Sequence, residues 1–81
     1  MNPNHVSMAL WKIIAKNNWN WGVKKQLVKG VFIEMSTSKT TSPLGIVKYQ
    51  EMIAMSFNVK YSTCFDGLKM NSSYFVCEKI S

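Results

Sequence analysis

The sequence predicts an α+β fold: an N-terminal helix packed on a small antiparallel β-meander that ends in a long β-hairpin with an Asp66-Gly67 turn. Three observations predict it. Val6, Leu10, Ile13 and Ile14 recur at i, i+4, i+7 and i+8, the spacing of one helix face. Ile53, Met55, Phe57, Val59, Tyr61, Thr63 and Phe65 alternate with other residues, as do Leu68, Met70, Ser72, Tyr74, Val76, Glu78 and Ile80. Between these runs lies Asp66-Gly67, a dipeptide that favours type I′ hairpin turns. Folding there pairs Phe65 with Leu68, Thr63 with Met70 and Ile53 with Ile80, so that both runs share one face in one register.

Taken in order, residues 5–20 read as the helix. Asn2 or Asn4 can cap its start, Pro3 suits a first turn, and Asn17 to Gly22 supplies poor helix formers and a stop. Val23 to Lys29 fits a short second helix, or a strand that begins at Leu27. Val31, Ile33 and Met35 alternate, so residues 30–36 read as a strand. Residues 36–42 form a polar Ser/Thr loop. Residues 43–52 fit two descriptions. Ser42-Pro43 with Ile46, Tyr49, Ile53 and Phe57 has helix spacing, whereas Val47, Tyr49, Ile53 and Met55 extend the odd-numbered strand face. A short strand or irregular turn is favoured there. An amphipathic helix and a one-faced sheet then cover each other.

The chain of 81 residues has room for a single domain, 1–81, with one modest core. Its 47% hydrophobic and 17% charged content is that of a globular chain. No apolar run approaches the roughly 20 residues that span a bilayer, and Lys12 interrupts anything resembling a secretory leader, so a cytoplasmic location is expected. The net charge of +6 is uneven. Residues 1–33 carry Lys12, Lys16, Lys24, Lys25 and Lys29 and no acid; the remaining five lysines face four acids. That asymmetry points to an acidic partner for the N-terminal third, whether nucleic acid, an anionic membrane or an acidic protein surface, against the alternative of a solvated face. All ten cations are lysine. Lysine is a flexible point charge, so contact to nucleic acid would be mainly to phosphate and weakly sequence-selective.

Little here suggests catalysis, and a non-enzymatic protein is expected. His5 is the sole histidine and reads as a helix-start residue. Glu34 and Glu51 lie on separate elements, Asp66 is explained by its turn, and Glu78 falls on the apolar hairpin face at an exposed sheet end. No phosphate loop, nucleophile elbow or zinc signature is present, and neither metal nor cofactor is expected. In the hairpin register Cys64 and Cys77 lie eight residues apart along a strand, about 27 Å, well beyond the roughly 7 Å Cα limit for a disulfide. Free thiols are expected.

Two constellations remain. Trp11, Trp19 and Trp21 interleave with the five early lysines, and aromatic–cation interleaving suits base stacking with phosphate neutralisation. The nucleic-acid or partner-binding residues are therefore Lys12, Lys16, Trp19, Trp21, Lys24, Lys25 and Lys29, with one of Trp19 and Trp21 exposed as the anchor. A secondary surface is the polar sheet face bearing Lys60, Lys69 and Phe75. The function expected is a small basic binding protein that contacts nucleic acid. The alternative is a protein–protein inhibitor or adaptor, for example a phage- or plasmid-encoded counter-defence protein occluding a host enzyme. A sheet edge also offers a route to a homodimer.

Overall fold

A computed structural model describes residues 9–38 and 42–80. The α+β class holds: one helix packs against antiparallel strands. The places of helix and strand are exchanged relative to the sequence expectation, however. Residues Ala9–Ala15 form a strand, β1, and not the N-terminal helix. Ala9, Trp11, Ile13 and Ala15 are buried on one face while Leu10, Lys12 and Ile14 sit half-buried on the other. Both faces of β1, the central strand, carry apolar side chains, with Leu10 and Ile14 on the half-buried one. A strand that is apolar on both sides produces helix-like spacings by coincidence, and Leu10, Ile13 and Ile14 did so here. Flanking it are β4 (Phe32–Thr37) and β5 (Phe75–Lys79), both antiparallel, in the order β4-β1-β5. The registers set Ile13 beside Ile33 on one side and Cys77 on the other. Between β1 and β4, a two-stranded hairpin is made by β2 (Trp19–Asn20) and β3 (Gln26–Leu27).

The long hairpin is absent. Val47–Tyr61 is the helix, α1, where a strand was expected from residue 53. Ser42 does begin it indirectly: its Oγ accepts from Leu44 N at 3.3 Å and caps a 3₁₀ turn over Pro43–Gly45. The Ile46 carbonyl then accepts from both Tyr49 N and Gln50 N. Ile53, Ala54 and Phe57 face inward, a helix repeat that prevails over the period-2 pattern because it alone meets the sheet. Phe57 lies between Tyr61 and Phe75, with ring centroids 5.8 and 5.3 Å away. Burying side chains of this size stabilises by about 1.5–3 kcal/mol each. Ser62 ends the helix in the left-handed region, φ 56°.

Asp66-Gly67 is no hairpin turn. Gly67 opens a 3₁₀ turn, Gly67–Lys69, that lies against α1. A Cβ there would stand 3.2 Å from Glu51 Cγ and 3.3 Å from Glu51 N. Glycine is needed for close approach, not for a left-handed bend. From the second expected strand only Phe75–Lys79 survives. Its inward residues are Phe75 and Cys77, so Phe75, expected on an exposed secondary surface, is core at 1% exposure. Glu78 is exposed on the outer sheet face opposite Lys12. Core and sheet meet at Trp11, whose Nε1 donates to the buried Thr37 Oγ1 at 2.9 Å.

Candidate functional site

The β2–β3 hairpin gathers most of the lysines and tryptophans singled out above. Its tip is a tight turn: Lys25 N donates to Gly22 O at 3.0 Å, and Trp21 N to Lys25 O at 2.8 Å. Gly22 has φ 133° and Lys24 φ 58°, so the turn uses two left-handed positions, one of them glycine. Short polar side chains brace it. Asn20 Oδ1 accepts from Gly22 N, and Asn18 Oδ1 accepts from Lys29 N at 2.8 Å. Lys24 O receives Cys64 N at 2.7 Å, which ties the hairpin to the chain that follows α1.

On this frame Trp19, on β2, and Trp21, just past its end, stack at 5.5 Å with 12° between planes. Tyr74 meets both edge-on, at 5.0 and 5.1 Å. The Tyr74 carbonyl accepts from Trp19 Nε1 and from Lys16 N, each at 3.0 Å. Phe65 closes the far side of Trp21 at 5.7 Å. Both tryptophans are half-buried, so neither is the freely exposed anchor expected, and both border open space. Trp21 borders a recess of ≈ 280 Å³ with Lys25, Phe65, Asp66 and Lys69. Trp19 borders another, ≈ 450 Å³, with Asn18, Asn20, Gln26, Leu27 and Val28.

Charge surrounds the rings. Lys69 Nζ lies 5.2 Å from the Trp21 centroid and 5.7 Å from that of Tyr74, within cation–π range. Lys16 donates through Nζ to the Ser72 carbonyl. Lys24 and Lys29 are exposed on the hairpin turn and at its base. Thus Trp19, Trp21, Lys24, Lys25 and Lys29 share the hairpin, Lys16 directly follows β1, and Lys69 joins Trp21 from the 3₁₀ turn. Lys12 does not. It lies on the outer face of β1, 4.2 Å above the Phe32 ring, where Lys60 also sits, at 4.1 Å. Sequence reasoning missed Tyr74 and Phe65 because the hairpin register assigned both to a continuous apolar face.

Cys64 is an exposed free thiol and Cys77 a half-buried one. Burial pushes the Cys77 thiol up, partly offset by its hydrogen bond with Ser42. Among the described residues no three His, Cys, Asp or Glu side chains are grouped to hold a metal, and no helix is long and apolar enough to cross a membrane. His5 and Lys39 lie outside the described residues.

No curated protein and no solved structure matches the chain. A family model does match over residues 8–77, and the chain belongs to that family, DUF6140, a family of unknown function.

Proposed function

We propose that this DUF6140 member is a non-enzymatic protein that binds single-stranded nucleic acid across its β2–β3 hairpin. The observation that supports this reading is the stacked Trp19–Trp21 pair, bordered by two recesses, with Lys25 and Lys69 beside Trp21 and with Lys24 and Lys29 exposed on the same hairpin. Unpaired bases stack on aromatic rings regardless of sequence, each for about 1–3 kcal/mol, while lysines neutralise the phosphates between them. Duplex DNA offers no such faces, so single strands bind more tightly.

Fluorescence anisotropy of labelled oligothymidylate and oligouridylate against salt tests it. If about four phosphates are neutralised, log K falls with log salt at a slope of about −3. Lys24→Ala and Lys25→Ala together lower that slope; Lys24 is exposed on the turn and Lys25 lines the Trp21 recess, and an unchanged unfolding midpoint qualifies the variant. Absence of binding to any single strand at low salt refutes the reading.

The second reading, a protein–protein inhibitor or adaptor, is favoured by a different observation: the open edge of β4 and the apolar helix face beside it.

A further inference from the structure

The odd-numbered apolar residues of α1 were expected to face a core, and three of them, Val47, Met55 and Val59, do not. Met55 is 66% exposed and Val59 85% exposed, although both follow the buried Ile53 and Phe57 in alternation. They border a groove of ≈ 600 Å³ completed by Ser56 and Lys60 on the helix and by Phe32, Ile33 and Glu34 on β4. Apolar side chains kept at the rim of an open groove are poorly explained by folding alone.

The other wall fixes the shape of the occupant. β4 is an outer strand of its sheet. At Phe32 the outward N–H and C=O are both taken by the Tyr61 hydroxyl, at 3.1 and 2.9 Å. Strand geometry repeats every two residues, so Glu34 and Ser36 present their N–H and C=O the same way, with no further strand beside them among the described residues. A ladder can therefore form at Glu34 and Ser36 and must stop at Phe32. A residue of the incoming strand opposite Ile33 points to the helix side, between Met55 and Val59. The next residue, where the ladder ends, points to the outer face. There Lys60 Nζ, bonded to the Phe32 carbonyl at 2.8 Å, and Lys12 Nζ both lie within 4.2 Å of the ring centroid.

We infer that this groove takes an extended segment of an acidic partner protein, added as a strand to β4, with an apolar side chain between Met55 and Val59 and a carboxylate beside Lys60. Adding a strand to a sheet edge next to a helix is a recurrent mode of peptide capture: the main chain supplies affinity, and pockets for alternate side chains supply specificity. Charge favours an acidic partner over a second copy. Each copy carries +6, and pairing Glu34 with Ser36 of another copy brings two Glu34 carboxylates together on the outer face. The groove is lined by residues other than those of the hairpin interface, so the two proposals stand or fall separately.

Selection of a random phage-displayed peptide library on the immobilised full chain, followed by titration of the enriched synthetic peptides, tests this. Enriched peptides should alternate apolar residues and carry an acid next to one of them. Val59→Lys and Ser36→Pro should each weaken them by about tenfold or more, since one fills the groove and the other removes an edge donor. Lys60→Glu should shift selection toward basic peptides, which a purely structural role for Lys60 would not do. Unfolding midpoints within error of wild type qualify the variants, and Val59→Lys alone suffices if Ser36→Pro fails. Three results overturn the inference: no enrichment, peptides indifferent to Val59→Lys and Lys60→Glu, or a homodimer that Val59→Lys returns to monomer.

Discussion

Asn58 gives the sharpest separation between the helix seen here and the hairpin that the sequence suggests. Its side chain holds the chain that leaves α1. Nδ2 donates to Phe65 O at 2.9 Å, while Oδ1 accepts from Phe65 N at 2.7 Å and from Thr63 Oγ1 at 3.0 Å. One amide thus satisfies both backbone groups of Phe65, whose ring is 7% exposed beneath Trp21. In Asn58→Ala the Thr63 hydroxyl can turn to water, but the Phe65 N–H and C=O lose their partner in a half-enclosed place. Each unsatisfied group costs about 1–3 kcal/mol, and the better helix propensity of alanine returns about 0.5 kcal/mol. The net loss is about 1.5–5.5 kcal/mol, a large part of the stability of a chain this size. Urea denaturation followed by circular dichroism measures it as a fall in the midpoint with little change in slope. The same change on the solvent face of a strand stays within about 0.5 kcal/mol. A neutral Asn58→Ala therefore refutes the helix-and-clamp geometry.

Three further outcomes follow from the same contacts. Gly67→Ala should cost about 1–3 kcal/mol, because its Cβ would press on the Glu51 backbone nitrogen at 3.3 Å, which cannot move aside; thermal melting reads it. Ser62→Gly should raise stability by about 1 kcal/mol, since φ 56° penalises a residue with a Cβ and suits glycine at a helix end. Cys77 keeps its proton to higher pH folded than unfolded, because burial disfavours the thiolate. Above the ordinary thiol range the folded state binds more protons, so stability falls as pH rises. Cys77→Ala should flatten that fall, and alkylation should label exposed Cys64 before Cys77.

What was legible in the sequence had local causes. Apart from Phe32, the apolar residues of β4 alternate with polar ones, so Ile33 and Met35 announce a strand with one buried face. The concentration of lysine and tryptophan in residues 16–29 was equally plain, and one short hairpin suffices to bring those side chains together. What misled was ambiguity that only tertiary contact resolves. β1 is covered on one face and half-covered on the other, which erased its alternation. In α1, Met55 and Val59 supplied apolar residues where a helix buried on one face has no need of them, and so completed a false period of two. Asp66-Gly67 reinforced the error, since a glycine chosen for close packing against Glu51 looks the same in sequence as one chosen for a turn. Lys12 and Phe75 were misplaced as a consequence: residue parity on a strand decides which face each occupies.

Binding at the hairpin is tested most directly by the three indole N–H signals in a proton–nitrogen correlation spectrum during titration with oligothymidylate. Trp11 donates to Thr37 in the core, whereas Trp19 and Trp21 border the two recesses. The indoles of Trp19 and Trp21 should shift together with the Lys24 and Lys25 amides while the Trp11 signal stays in place. Saturable binding that leaves Trp19 and Trp21 unmoved, or no shift anywhere at low salt, contradicts it.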